Sequence, residues 1–167
     1  MVNSVRSQEH LLEEATLFLH QLESHLPANK RKLLRMVHDK EAILRHKKVL
    51  IADDDMRNTY AVASVLEDRD MEIVCAKNGN DALAKLEEHD DVAIVLMDIM
   101  MPEMDGYQTI QAIRKQPRFY KLPIVALTAK AMKSDKAKCI EAGANDYLSK
   151  PVDTDKLISL MRVWLYR

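Results

Sequence analysis

The chain reads as an α/β protein built on a doubly wound parallel sheet, with helices on both faces. Three observations lead there. Val92-Ala93-Ile94-Val95-Leu96-Met97 is an apolar run without alternation that ends abruptly in Asp98, the pattern of a strand buried on both faces. Similar runs occur at 49–52, 71–76 and 123–128. Between them lie segments with apolar residues at helical spacing, and βα units in series imply a parallel sheet with right-handed crossovers.

The elements follow in order. Residues 7–26 set Leu11, Ala15, Phe18, Leu19, Leu22 and Leu26 at helical spacing, with Ser7 to cap the helix and Pro27 to stop it. From Asn29 to about Arg45, Leu33, Val37 and Leu44 mark a second, weaker helix. Residues 1–47 are thus a helical extension, expected to lay its apolar stripe on the domain or on a second copy of the chain. Its histidines, His10, His20, His25, His38 and His46, stand in neither the Ser-His-Glu nor the His-x-x-Lys-Gly setting of phosphorylated histidines.

From Lys48 the texture changes to strand and helix in turn. Val49–Ala52 is a first strand, ending at Asp53-Asp54-Asp55, and a helix runs from about Met56 to Asp68. Met71–Ala76 is the second strand, Asn78-Gly79-Asn80 a turn, and Asp81–Glu88 a short helix. The third strand ends at Asp98. After Asp105-Gly106 a helix reaches about Lys115, closed by Gln116-Pro117. Pro123–Thr128 is the fourth strand, with proline at its first position, where it is tolerated. A helix over 134–141 stops before Gly143, 146–150 is a short fifth strand, and 154–166 is a last helix burying Leu157, Leu160, Met161 and Trp164.

Bulk properties narrow the function. At 167 residues there is room for one full domain and a small appendage. The net charge of −1, from 25 basic and 26 acidic residues, gives no field aimed at nucleic acid or an anionic membrane. Cys75 and Cys139 lie far apart without CxxC spacing, which suggests neither zinc nor a disulfide framework and fits a reducing cytoplasm. No signal peptide or membrane-spanning run is legible. With only Gly79, Gly106 and Gly143, no glycine-rich phosphate cradle or dinucleotide fingerprint can be built.

The informative residues all fall at carboxyl ends of the expected strands: Asp53 and Asp54 after the first, Asp98 after the third, Thr128 after the fourth, Lys150 after the fifth. That edge of an open α/β sheet is where ligands bind. Three carboxylates in a small space raise each other's pKa unless a cation intervenes, and oxygen ligands suit Mg²⁺. Metal, lysine and hydroxyl together suit a phosphoryl group, which a carboxylate can accept as an acyl phosphate.

These residues bring a resemblance into view. Asp53-Asp54, Asp98-Ile99-Met100-Met101-Pro102 with Asp105-Gly106, Leu127-Thr128-Ala129 and Tyr147-Leu148-Ser149-Lys150-Pro151 occur in order and at the right spacing. Residues 48–167 therefore resemble the receiver domain of a bacterial two-component response regulator. The resemblance implies a sheet in order 2-1-3-4-5. It implies that Asp98 accepts a phosphoryl group from a phosphohistidine on a kinase or phosphotransfer domain. Asp54, Asp98 and the carbonyl of Met100 match the direct Mg²⁺ ligands, and Asp53 the acid that reaches the metal through water. Lys150 matches the lysine paired with the phosphoryl oxygens. Thr128 and Tyr147 match the switch pair, a hydroxyl drawn toward the phosphoryl group and an aromatic that rotates inward behind it. Met100 and Lys130, two residues beyond Asp98 and Thr128, are placed to set the lifetime of the phosphorylated form. Such a receiver catalyses its own phosphorylation and dephosphorylation, and no kinase catalytic domain is legible here. Residues 1–47 resemble the helical linker ahead of the last receiver of a hybrid sensor histidine kinase. A homodimer through those helices, or through the face of the last helix, is an expectation of the same reading.

Two rival readings differ in class. Asp53-x-Asp55 echoes the Asp-x-Asp motif of haloacid-dehalogenase-like phosphatases, with Asp53 as nucleophile. Against it, Arg57 stands where Thr or Val is expected, and Asp153 and Asp155 read better as the start of the last helix than as the missing acidic pair. The other rival is a receiver-like interaction module that takes no phosphate, although every residue the chemistry needs is present.

Overall fold

The computed structural model describes residues 42–129 and 133–166. The expected helices before residue 42, and Lys130, lie outside the described residues. The compact unit that holds the sheet begins at Ile43. Leu44, which periodicity assigned to the extension, is 1 % exposed and packs with the core of the sheet unit. The chain then enters the sheet through His46, whose amide donates to the Asp70 carbonyl at 2.8 Å.

Five parallel strands, β1 (Lys48–Ala52), β2 (Glu72–Ala76), β3 (Val92–Asp98), β4 (Ile124–Thr128) and β5 (Asp146–Ser149), stand in the order β2-β1-β3-β4-β5. The order reverses at β1 and β3, the two strands that end at Asp53 and Asp98. They are connected by α1 (Met56–Glu67), α2 (Gly79–Glu88), α3 (Gly106–Arg114) and α4 (Lys133–Ala142), and α5 (Thr154–Leu165) closes the chain. Alternate residues of each strand serve opposite faces. Val49, Ile51, Ile94, Leu96, Val125 and Leu127 pack with Val62 and Leu66 of α1 and Leu157, Ile158 and Met161 of α5. Leu50, Ala52, Val95, Met97, Ile124 and Ala126 pack with Ala82 and Leu86 of α2, Ile110 and Ile113 of α3, and Cys139 of α4. Two covered faces explain why the strands read as continuous apolar runs.

The helix starts are set by local hydrogen bonds that satisfy otherwise orphaned amides. Asp55 accepts from Arg57 N at 3.0 Å, and Asp153 from Asp155 N at 3.0 Å and Lys156 N at 3.3 Å. Asp153 thus opens α5, as its place in the sequence suggested. Asp105 and Gln108 form a reciprocal capping box on α3. One boundary differs from the sequence reading: Asn78-Gly79-Asn80 is the start of α2, not a separate turn. Asn78 Oδ1 accepts from Asp81 N at 2.7 Å, so the residues that resemble a turn are a cap and a first helical turn. Likewise β5 ends at Ser149, leaving Lys150 just beyond the strand.

Gly106 shows how tightly α3 is set against the site. A Cβ there would collide with the Asp98 carbonyl oxygen and would lie 2.6 Å from Ile99 Cα. The Gly106 amide meanwhile donates to the Ile99 carbonyl at 2.9 Å. Gly106→Ala should cost about 1–3 kcal/mol, the range for overpacking, read as a lower midpoint in thermal denaturation. A variant as stable as the parent would show that α3 can retreat freely.

Arg114 secures the opposite end of α3. Its guanidinium donates to the carbonyls of Gly143 (2.9 Å), Phe119 (2.8 Å) and Tyr120 (3.3 Å) and to Asn145 Oδ1 (2.7 Å), which also accepts from Ile124 N. One side chain ties the end of α3, the start of β4 and the approach to β5.

Candidate functional site

The five-strand edge brings Asp53, Asp98 and Lys150 into direct contact. Asp53 follows the last residue of β1, Asp98 is the last of β3, and Lys150 follows the last of β5. Lys150 Nζ lies 2.9 Å from Asp98 Oδ1 and 3.1 Å from Asp53 Oδ2. Both carboxylates are 2 % exposed. Asp53 Oδ1 also accepts from the Asp55 amide at 2.8 Å, and Asp98 Oδ1 from the Met100 amide at 3.3 Å. Asp54 is exposed, and one oxygen from each of Asp53, Asp54 and Asp98 lies within 4.8 Å of the others.

The electrostatics follow from this crowding. Burial raises the Asp98 carboxyl most, the charge of Asp53 adds to the rise, and Lys150 and the Met100 amide oppose it; the balance leaves it at about 6 against an ordinary 3.8. Burial pulls the Lys150 ammonium down, but its hydrogen bonds to Asp98 and Asp53 outweigh that and hold it above its ordinary 10.5. A half-buried lysine that stays charged between two carboxylates is a fixed positive point at the mouth of the site. The remaining acidic charge and the all-oxygen donors of Asp53, Asp54 and Asp98 fit a hard divalent cation such as Mg²⁺.

Thr128, Tyr147 and Met100 lie at or near the same edge. Thr128 ends β4, is 4 % exposed, and its carbonyl accepts from the Lys150 amide at 2.7 Å. Tyr147 pairs with Ala126, and Thr128 with Ser149. Strand pleating therefore puts Thr128 and Tyr147 on the same face of the sheet, the one covered by α2, α3 and α4. Met100 is 68 % exposed in the loop after β3. Asp55, which the sequence marks as an exposed neighbour or helix cap, caps α1, and its amide also donates to Asp53 Oδ1. Sequence reasoning missed Lys136 over Tyr147, and it quoted Gly106 in the motif without the packing beneath Asp98 that demands a glycine there. Neither contact has a local signature, because each joins elements separated along the chain.

Comparison with known proteins gives the family of this fold. The family model for the response regulator receiver domain matches residues 49–162. The response regulator Rre1 of Synechocystis is 39% identical over 120 residues, covering 71% of this chain and 52% of Rre1. The sensor protein GacS of Pseudomonas syringae is 37% identical over 123 residues, 72% of this chain but 14% of GacS. The chain thus spans about half of one relative and a small part of the other. Among solved structures, the receiver domain of a sensor histidine kinase from Pseudomonas aeruginosa, with a magnesium ion coordinated in its active-site cleft, aligns with a TM-score of 0.68 and 30% identity over 73% of this chain and 99% of that one. Receiver domains of two-component systems take phosphoryl groups from histidine kinases or phosphotransfer domains, and among the described residues no helix is long and apolar enough to cross a membrane. From its strand order, its acidic edge and the match over most of its length, the chain belongs to the response regulator receiver domain family.

Proposed function

We propose that Asp98 is the phosphoacceptor of a phosphorelay. The observation that carries this is the Lys150 ammonium lodged between Asp98 and Asp53 at the site's mouth. A carboxylate oxygen of Asp98 attacks the phosphorus of a phosphohistidine. The P–N bond breaks, its electron pair stays on the imidazole, and an acyl phosphate forms on Asp98. Lys150 neutralises the charge gathering on the phosphoryl oxygens. Asp54, Asp98 and the Met100 carbonyl would hold Mg²⁺, with Asp53 acting through water. The metal supplies charge neutralisation for the phosphoryl oxygens. Thr128 and Tyr147 then act as the switch. The donor is a kinase or phosphotransfer domain, and the setting is the cytoplasm. The chain's larger parent is a hybrid sensor histidine kinase, with residues 1–47 as the linker and 48–167 as the receiver. Self-association runs through the extension or the α5 face, where Val163 is exposed. Incubation with a small acyl phosphate donor and Mg²⁺, followed by intact mass, tests the core of the reading. No mass gain with either this donor or a phosphohistidine protein would sink it.

The lifetime of the acyl phosphate depends on the water that reaches it. Met100 offers no useful hydrogen bond to orient that water, and its flexible apolar side chain covers the approach. Lys130 is a donor only. Slow self-dephosphorylation is expected, and Met100→Asn, which adds a polar amide, should shorten the phosphoprotein half-life severalfold when decay is followed by mass. Wild-type decay within seconds, or an Asn variant no faster than the parent, would contradict it.

A further inference from the structure

Tyr147 sits half-buried on β5 against the face covered by α2, α3 and α4. Its backbone partner across the sheet is Ala126, and Thr128 stands two residues farther along β4 on that same face. Over the ring lies a side chain from another element. The Nζ of Lys136, an exposed residue of α4, is 5.2 Å from the ring centroid, inside the roughly 6 Å reach of a cation–π contact. The base of that lysine is well anchored. Cys139, three residues along α4 and so on the neighbouring helical surface, is fully buried in the core cluster against which Tyr107 of α3 also packs.

We infer that Lys136 is a positioning residue that latches Tyr147 in its present place and so sets the resting balance of the switch. The inference rests on the reading of Thr128 and Tyr147 as that switch. A ring drawn toward Thr128 moves along β4 by up to two residues, roughly 6–7 Å, which takes it out of reach of an ammonium already near the limit of the contact. Leaving the resting place therefore breaks the cation–π contact, and phosphorylation must overcome that loss. The contact depends on positive charge over the ring. Arginine at 136 would keep it, and glutamine, similar in length but neutral, would not.

The test is NMR of the full chain with carbon-13 labels in the tyrosine rings, with and without beryllium fluoride and Mg²⁺ as a phosphoryl mimic. In the unphosphorylated protein, Lys136→Gln should raise the population of the displaced Tyr147 ring roughly two- to fivefold, the range expected for an exposed cation–π contact. Lys136→Arg should match the parent. Because Lys136 is exposed, both variants should unfold at the parental temperature. A ring that responds to the mimic in the parent but has the same resting population in Lys136→Gln overturns the latch and leaves the switch standing. Equal shifts in the Gln and Arg variants also overturn it, because shape and not charge would then be responsible. If the parental ring ignores the mimic, the switch reading fails and the latch with it.

Discussion

Asp98→Asn should gain no mass from a small acyl phosphate donor under conditions in which the parent is phosphorylated. The amide is nearly the size of the carboxylate and can still accept from the Met100 amide and Lys150, so the site keeps its shape. What it lacks is the anionic oxygen that attacks phosphorus. Lys150→Ala should retain the nucleophile but slow transfer by about 10²–10³, the usual cost of removing one preorganised charge-stabilising donor. Asp53→Asn should weaken metal binding and slow the reaction without abolishing it, since Asp53 is not the attacking group. Mass spectrometry of the three variants separates the roles of these residues, and a phosphoester assay separates the rival enzyme. A phosphatase of the haloacid-dehalogenase type would instead lose activity on a small phosphoester in Asp53→Asn and keep it in Asp98→Asn. An Asn variant at position 98 that gains the same mass as the parent would remove the central proposal.

The same substitution should stabilise the metal-free protein. Burial and the nearby Asp53 charge hold the folded Asp98 carboxyl at about 6, above the 3.8 of an unfolded chain. The native state therefore binds this proton more tightly. The stability it contributes is complete below the unfolded value and lost as pH rises through the folded one. At pH 8 the ionised Asp98 costs the fold on the order of 3 kcal/mol, and Asp98→Asn escapes that cost. The gap between variant and parent should shrink to roughly half at pH 5, read from denaturant midpoints in the presence of a chelator. Mg²⁺ should act oppositely on the parent. At a hundredfold excess over its dissociation constant it adds about 2.7 kcal/mol, at pH 8 and much less at pH 5, where a proton competes for Asp98. Equal stability of parent and variant at pH 8 without metal would show that the buried carboxyl is not under strain.

Much of the fold is legible because its physical causes are local. A strand covered on both faces must be apolar at every position, so Val92–Met97 could be nothing on the surface. A charge can follow such a run only where the sheet ends, which is why Asp53, Asp98 and Lys150 stand at one edge in both readings. The start of α2 resembles a turn in the sequence for an equally local reason: asparagine and glycine serve turns and helix caps alike, and only the hydrogen bond from Asp81 N to Asn78 separates the two. Helical spacing places Leu44 in the extension because it records which residues are apolar and not which surface receives them.

Taken alone, the sequence determined the alternation of strand and helix, the parallel sheet, and the acids, hydroxyl and lysine at its carboxyl edge. Each follows from the solvation of individual side chains and the short-range geometry of the backbone. Tertiary structure alone decided that Lys150 spans Asp53 and Asp98, that burial lifts the Asp98 carboxyl toward neutrality, and that α3 approaches the Asp98 backbone closely enough to demand Gly106. It also decided that Arg114 gathers four acceptors and that Lys136 rests over Tyr147. These depend on distances between residues far apart in the chain, set only when the two faces of the sheet are packed, and no spacing within the sequence encodes them.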